Sequence, residues 1–418
     1  MIKTKKVSLK QQTLSQVIRK LGTATFWFKN GRHRDGFLLT EDHLHKARSL
    51  SDNVKQRWFM QKLDHFDINE KRMFNQKYYT NSVFYKPDGP MFLMIGGESP
   101  ARPVLIDESI AELFGALCFY YDFSDISTPN LKWLSSEQAL ADIAFFIQSM
   151  NTAYSIKSPK WITFGGSYPG NLAAWFRMKY PHLAIGAVSS SAPVEAKVNF
   201  WEYLKVVVQS LKDYSSKCVE NIQQSVRCAV FVTNTTNLFA NLFFNFAGVV
   251  QYSKDNRVIL LPIILKYVSF FFRPTLGRLW TYQTCTEFGY YQTSDLQENN
   301  PFSHRFNLNF SLLQCEDIFG SEYEGKLVSE SVSQTNIRNG AKDIKVFIYK
   351  ITVAKMHFIF CACTKYENYE EMQLKILFLG TAHCANMYPA NANDPPELVA
   401  ARKQITSVIA QWLSQSSS

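Results

Sequence analysis

The 418-residue chain lacks any apolar run long enough to cross a bilayer. Its longest, residues 258–272, is broken by Pro262 and Lys266 and falls short of the ~20 residues a spanning helix needs. That run reads as buried structure or mistranslated sequence. Near the N-terminus the apolar pieces, such as Thr25-Phe26-Trp27-Phe28, are shorter than the roughly 7–15-residue core of a secretory signal, so no signal peptide is visible. Metal-binding spacing is also missing. Cys361-Ala-Cys363 has no second pair, and His43-Leu-His45 lies in a basic leader, so no metal site is assigned and no cofactor is expected. Acidic residues are in short supply, 35 against 45 Lys and Arg, for a net charge of +10. Most of the excess sits in residues 1–49, which hold eleven Lys or Arg and three acids. The remainder is close to balanced, which excludes a basic nucleic-acid face on the folded part.

What is present is material for a large core. Hydrophobic residues make up 46% of the chain, enough for one large α/β domain with an insertion, or for two domains. The stretch Trp161-Ile-Thr-Phe-Gly165-Gly166-Ser167-Tyr168-Pro169-Gly170 reads as a strand, a tight turn and the start of a helix. Leu172, Trp175 and Phe176 continue that helix at three-to-four spacing until Pro181 stops it. A serine on so sharp a strand-to-helix turn is exposed in the way an α/β-hydrolase presents its nucleophile, with small residues flanking it to avoid collision. Pro169 occupies the last place of the usual Gly-x-Ser-x-Gly pattern, where its missing N–H costs a first helical turn nothing.

Other segments fit around this one. Met91–Ile95 is a short apolar strand ending in Gly96-Gly97, a glycine pair suited to bring backbone N–H groups near a ligand. Ser135-Ser-Glu-Gln138 is a capping-box pattern opening a helix with Leu140, Ile143 and Ile147 on one face. Residues 76–85, 184–189, 345–349 and 376–379 read as strands, and alternation with helices implies a parallel sheet with its site at the strands' carboxyl ends. His383 follows the last of these strands, where a triad histidine belongs. Asp394-Pro-Pro caps a final helix with Leu398, Ala401, Ile405, Val408, Ile409 and Trp412 on one face. The expected division is a basic, poorly ordered leader at 1–56, a first hydrolase segment at 57–199, an inserted helical cap at 200–330 and a second hydrolase segment at 331–418. Within the insertion, aromatic residues surround Glu287, and Glu287 and Tyr290 are assigned to the substrate pocket. Cys285 and Cys315 are paired on their shared place there. Asn234 and Asn309 head glycosylation tripeptides, and with eight cysteines they lean toward an oxidising compartment.

Seven motifs in order, Gln61-Lys-Leu-Asp64-His65-Phe66, Gly96-Gly97-Glu98, Leu134-Ser-Ser-Glu-Gln138, Phe164-Gly-Gly-Ser167-Tyr168, Ser190-Ser-Ala-Pro193, Tyr282-Gln-Thr-Cys285-Thr-Glu287-Phe-Gly289 and Gly380-Thr-Ala-His383-Cys-Ala-Asn386, resemble the family of lysosomal Pro-Xaa carboxypeptidase and dipeptidyl peptidase II, nearest its thymus-specific branch. The resemblance implies an α/β-hydrolase fold and a secreted or lysosomal serine exopeptidase cutting peptides beside proline or small residues. It makes Ser167 the nucleophile, His383 the general base, and Tyr168 N–H with Gly96 and Gly97 the oxyanion hole. A homodimer is one assembly open to such a chain. The family's triad aspartate lies in Asn-Gly-x-x-Asp-Pro-Trp after a strand. Here Asn339-Gly-Ala-Lys-Asp343 imitates only its first half and precedes a strand, so the acid is unassigned, with Asp343 its one weak candidate. Residues at about 119–124, 258–272 and 350–370 depart from the pattern, as if family segments had been lost and unrelated ones kept. Alternatives are an impaired family member that binds peptides, or an esterase on the same fold.

Overall fold

A computed structural model describes residues 54–97, 108–121, 128–232, 236–251, 274–296, 300–340, 348–353, 375–378, 383–387, 390, 392 and 394–415. The leader up to residue 53, the run at 258–272, Asn234, Asp343 and most of 350–370 lie outside these residues.

The strands are β1 (Val54–Lys62), β2 (Met73–Asn81), β3 (Met91–Ile95), β4 (Leu117–Tyr121), β5 (Trp161–Gly166), β6 (Gly186–Ser190), β7 (Lys197–Asn199), β8 (Gly289–Tyr291), β9 (Ile348–Val353) and β10 (Lys375–Phe378). The helices are α1 (Glu108–Phe114), α2 (Ser136–Ala153), α3 (Tyr168–Lys179), α4 (Glu202–Tyr214), α5 (Ser216–Val232), α6 (Thr236–Gln251), α7 (Pro274–Gln283), α8 (Leu308–Phe319), α9 (Gly325–Asn339) and α10 (Pro396–Gln415).

Eight strands form one sheet in the order β1-β2-β4-β3-β5-β6-β9-β10. From β4 to β10 the neighbours are parallel, and β2 runs antiparallel to both β1 and β4. Parallel strands must be covered on both faces, and the alternation within β5 shows how. Trp161 turns to one face, where Phe146 of α2 and Leu172, Trp175 and Phe176 of α3 bury it. Ile162 and Phe164 turn to the other, against Ile405, Ile409 and Trp412 of α10. The six residues expected on the inner face of α10 are all buried. Trp412 lies so close to β6 that a β-carbon on Gly186 would stand 2.2 Å from its ring.

Several boundaries differ from the sequence reading. β1 takes in residues 54–56, assigned above to the leader. Phe119, at the start of a stretch read as foreign, is fully buried among Phe146, Tyr154 and Trp161. β9 runs to Val353 rather than ending at 349. Asp394 does not simply cap α10, because its carboxylate forms a buried ion pair with Arg402 one turn and more into that helix.

Between β6 and β9 the chain is mostly helical with its own apolar centre. Tyr203, Leu204 and Val207 of α4 meet Phe239 and Phe243 of α6, with Phe302 and Phe306 beyond. β7 and β8 form a short parallel ladder. A disulfide joins Cys285 in the π-helical turn Thr284–Phe288 to Cys315 of α8.

Candidate active site

Strand β5 ends at Gly166 and α3 starts at Tyr168, leaving Ser167 alone at the join with φ 65° and ψ −133°. A non-glycine residue held there stores strain of about 1–3 kcal/mol, so its surroundings must fix it. They do so by close packing. A β-carbon on Gly165 would stand 2.1 Å from the Pro169 carbonyl oxygen, and one on Gly170 would stand 2.8 Å from Ala192 Cβ. The Ser167 N–H donates to the Ser190 carbonyl at the end of β6 (2.9 Å), and the Ser167 carbonyl accepts from Gly170 and Asn171.

The loop after β3 reaches the same place. Gly96 is buried, and a β-carbon on Gly97 would stand 2.5 Å from Pro169 Cγ and 3.3 Å from Tyr168 Cδ1. Only a glycine lets that backbone approach the first turn of α3. The Tyr168 side chain is buried against Trp280 and Phe288, and its hydroxyl accepts from Gln283 Nε2 at 3.1 Å.

His383 is 2% exposed, and its backbone N–H donates to the carbonyl of Gln251, the last residue of α6 (2.9 Å). Its neighbour Cys384 packs on the Ser167 turn. A β-carbon on Gly166 would stand 2.9 Å from Cys384 Sγ. Cys384 N–H donates to Ser191 Oγ (3.1 Å), and Asn386 Nδ2 donates to Ser190 Oγ (2.9 Å). Arg402 Nη2 donates to the Ala385 carbonyl (3.1 Å) while Nη1 pairs with Asp394. The histidine loop is therefore brought to the residue beside Ser167. Sequence order alone indicates the strand end for His383 but gives no sign of Ser191, Asn386 or Arg402 as its supports.

Glu287 is buried, and Ser136 holds its carboxylate. Backbone N–H contacts reach both oxygens at 3.0 and 2.9 Å, and Ser136 Oγ donates at 2.6 Å. The acid thus closes the N-terminus of α2, where a carboxylate complements the helix dipole. Burial nevertheless outweighs these contacts and pushes its carboxyl up to about 7. Tyr290, at φ 57°, donates from its hydroxyl to the Pro193 carbonyl and accepts from Asn171 Nδ2 (3.2 Å). Its ring also lines a cavity of ≈ 30 Å³ with Trp280, Phe244 and Phe306. A third buried carboxyl lies away from the turn. His65 Nε2 and Asp142 Oδ1 are 2.7 Å apart, and burial raises Asp142 to about 6, against the lowering effect of His65. Asp64 accepts from Gln138 Nε2 (2.6 Å) and Trp133 Nε1 (3.0 Å), so this motif fastens the end of β1 to α2.

A mostly parallel sheet with helices on both faces, and a serine on a strained strand-to-helix turn facing a histidine loop, define an α/β-hydrolase. Within that class the chain belongs to the serine carboxypeptidase S28 family, whose profile matches residues 61–230 and 272–405. Members of this family are serine peptidases, hence hydrolases. A candidate serine protease of Caenorhabditis elegans, K12H4.7, is 31% identical over 478 positions, covering 92% of this chain and 93% of its own. The thymus-specific serine protease of Mus musculus is 29% identical, covering 86% of this chain and 87% of its own. Among solved structures, the proline iminopeptidase of Mycobacterium smegmatis is similar at a TM-score of 0.42 and 13% identity, covering 86% of this chain and 98% of that one. The nematode alignment is longer than the chain itself, so the relative carries segments that this chain lacks. The break in the family match at 231–271 contains nearly all of the departing run at 258–272. Among the described residues no helix is long and apolar enough to cross a membrane.

Proposed function

We propose that the chain is a serine exopeptidase acting on peptides beside proline or small residues, by transfer of the acyl group first to Ser167 and then to water. Ser167 Oγ attacks the peptide carbonyl, and His383 takes the hydroxyl proton and returns it to the leaving amine. The Tyr168 N–H and the Gly96-Gly97 loop stabilise the oxyanion, an interaction whose loss typically lowers kcat by about 10²–10³. The observation that carries the reading is the strained Ser167 backbone, with the Cys384 side chain of the histidine loop packed on Gly166. Tyr290 forms part of the substrate wall, and Glu287 shapes that wall from behind through the helix it closes. The helical stretch from 200 to 330 acts as a cap over the site. Proteins named for thymus-specific and lysosomal Pro-X activities among the relatives support a secreted or lysosomal setting. Exposed Asn309 in the first turn of α8 suits glycosylation there.

Labelling by a fluorophosphonate tests the nucleophile. The chain should label and Ser167→Ala should not; equal labelling of both would remove Ser167 from the mechanism. Parallel assays with a proline-containing dipeptidyl substrate, a carboxypeptidase substrate and a short-chain ester then separate amino- from carboxy-terminal trimming and both from esterase activity. Turnover of the ester alone would overturn the peptidase reading.

A further inference from the structure

Three of the seven non-glycine residues with positive φ among the described residues meet at one place: Ser167 (65°), Ser191 (48°) and Cys384 (57°). They come from three separate parts of the chain, and a single dipeptide connects them. The Ser190 carbonyl accepts the Ser167 N–H, the Ser190 hydroxyl accepts from Asn386, and the Ser191 hydroxyl accepts from Cys384 N–H. All these groups are buried. From the opposite side Arg402, held by Asp394, takes the Ala385 carbonyl. Backbone strain persists only where surrounding contacts over-determine it, and these contacts are what hold Ser167 and Cys384 in strained conformations at a common distance.

We propose that Ser191, Asn386 and Arg402 are positioning residues for the reaction, forming a strap from β6 and α10 that fixes the His383 loop in register with Ser167. This inference rests on the catalytic assignment above. The strap acts through the backbone of the loop, at the Cys384 N–H and the Ala385 carbonyl, and through the Ser190 hydroxyl of β6. Its action is to keep His383 within proton-transfer distance of Ser167, because misplacing a reacting group by about 1 Å can cost on the order of 10²-fold in rate. Ser191 matters through its hydroxyl, so an alanine there should not serve, while its φ of 48° rules out a β-branched substitute as the rescue.

The experiment uses the full chain with Ser191→Ala, Asn386→Ala and Arg402→Met, and Ser407→Ala on the exposed side of α10 as control. We expect Ser191→Ala and Asn386→Ala to lower kcat and the fluorophosphonate labelling rate by about 10–100-fold at little-changed KM. Ser407→Ala should match the parent. Hydrogen exchange gives a readout independent of activity: the amides of residues 383–387 should exchange at least about tenfold faster in Ser191→Ala and Arg402→Met, with those of β5 unchanged. Variants that fold and keep both kcat and loop protection within twofold of the parent would overturn the proposal. A parent chain that never labels would defeat the catalytic assignment instead, and the exchange comparison would still decide whether the strap exists.

Discussion

Gly165 and Gly166 stand next to each other before Ser167, yet a methyl group added to each meets different obstacles. At Gly165 it would strike the backbone carbonyl of Pro169, which cannot move without unwinding α3. Gly165→Ala should therefore abolish soluble expression or lower the thermal midpoint by more than about 5 °C, the effect of several kcal/mol at about 1 °C per kcal/mol on a chain of this size. At Gly166 the methyl meets the tip of a side chain, Cys384 Sγ. Gly166→Ala should fold and be displaced at the His383 loop, labelling about 10–100-fold more slowly while its melting point falls only a few degrees. Comparing labelling rates with melting curves of the two variants checks both expectations. The strand-to-helix turn at Ser167 was legible in the sequence because its causes are local: a glycine pair, a serine and a helix face within twenty residues. Ser191 and Arg402 were not legible, because their partners at 384 and 385 are brought to them by the fold.

At the scale of the element, α2 shows how a local signal can be read correctly and its purpose missed. Ser135 caps the helix as its sequence predicts, accepting from Gln138 N–H at 3.2 Å. The Gln138 side chain, however, does not return to the cap; it holds Asp64 and the backbone N–H of His65. The helix's next residue, Ser136, binds Glu287 from 151 positions away. Two buried carboxyls, Glu287 held at the start of α2 and Asp142 within it, are raised above their ordinary values by burial, Glu287 to about 7 against 4.5 and Asp142 to about 6 against 3.8. The folded state therefore binds more protons than the unfolded one between these values. Their contribution to stability is complete in acid and is lost as pH rises through about 6 to 7. Thermal midpoints should accordingly be higher near pH 5 than near pH 8. Glu287→Gln, which keeps an acceptor for Ser136 but cannot ionise, should flatten that slope. A midpoint rising toward pH 8 in the parent would reverse the assignment. The strands in the apolar centre of the sheet were readable from composition; β9 extends past residue 349 because β10 pairs with it from Lys350 to Val353, a partner its own residues do not reveal.

Considered as a whole, the molecule is stapled within the helical stretch, from the turn before β8 to α8. The Cys285–Cys315 disulfide closes a loop of 30 residues, and in the chain-entropy account its removal costs roughly 3–4 kcal/mol. Cys315→Ser should lower the melting point by several degrees and leave the sheet's exchange pattern intact. The longer nematode alignment and the break at 231–271 make a further expectation: sequencing the transcript should reveal coding segments absent from this chain around 258–272 and 350–370. An uninterrupted match would contradict it.

The described stretch between β6 and β9 meets the hydrolase core at buried joints that include Glu287 on Ser136, Gln283 on Tyr168, Tyr290 on Pro193, and the Gln251 carbonyl on the His383 N–H. A lid that swings must break its contacts at each opening, and contacts this well buried are expensive to break on every turnover. If this stretch covers the site as proposed, such a roof would work as a sieve rather than a door, sorting by girth, so that a frayed peptide could thread beneath it while a folded protein of identical sequence would stay outside.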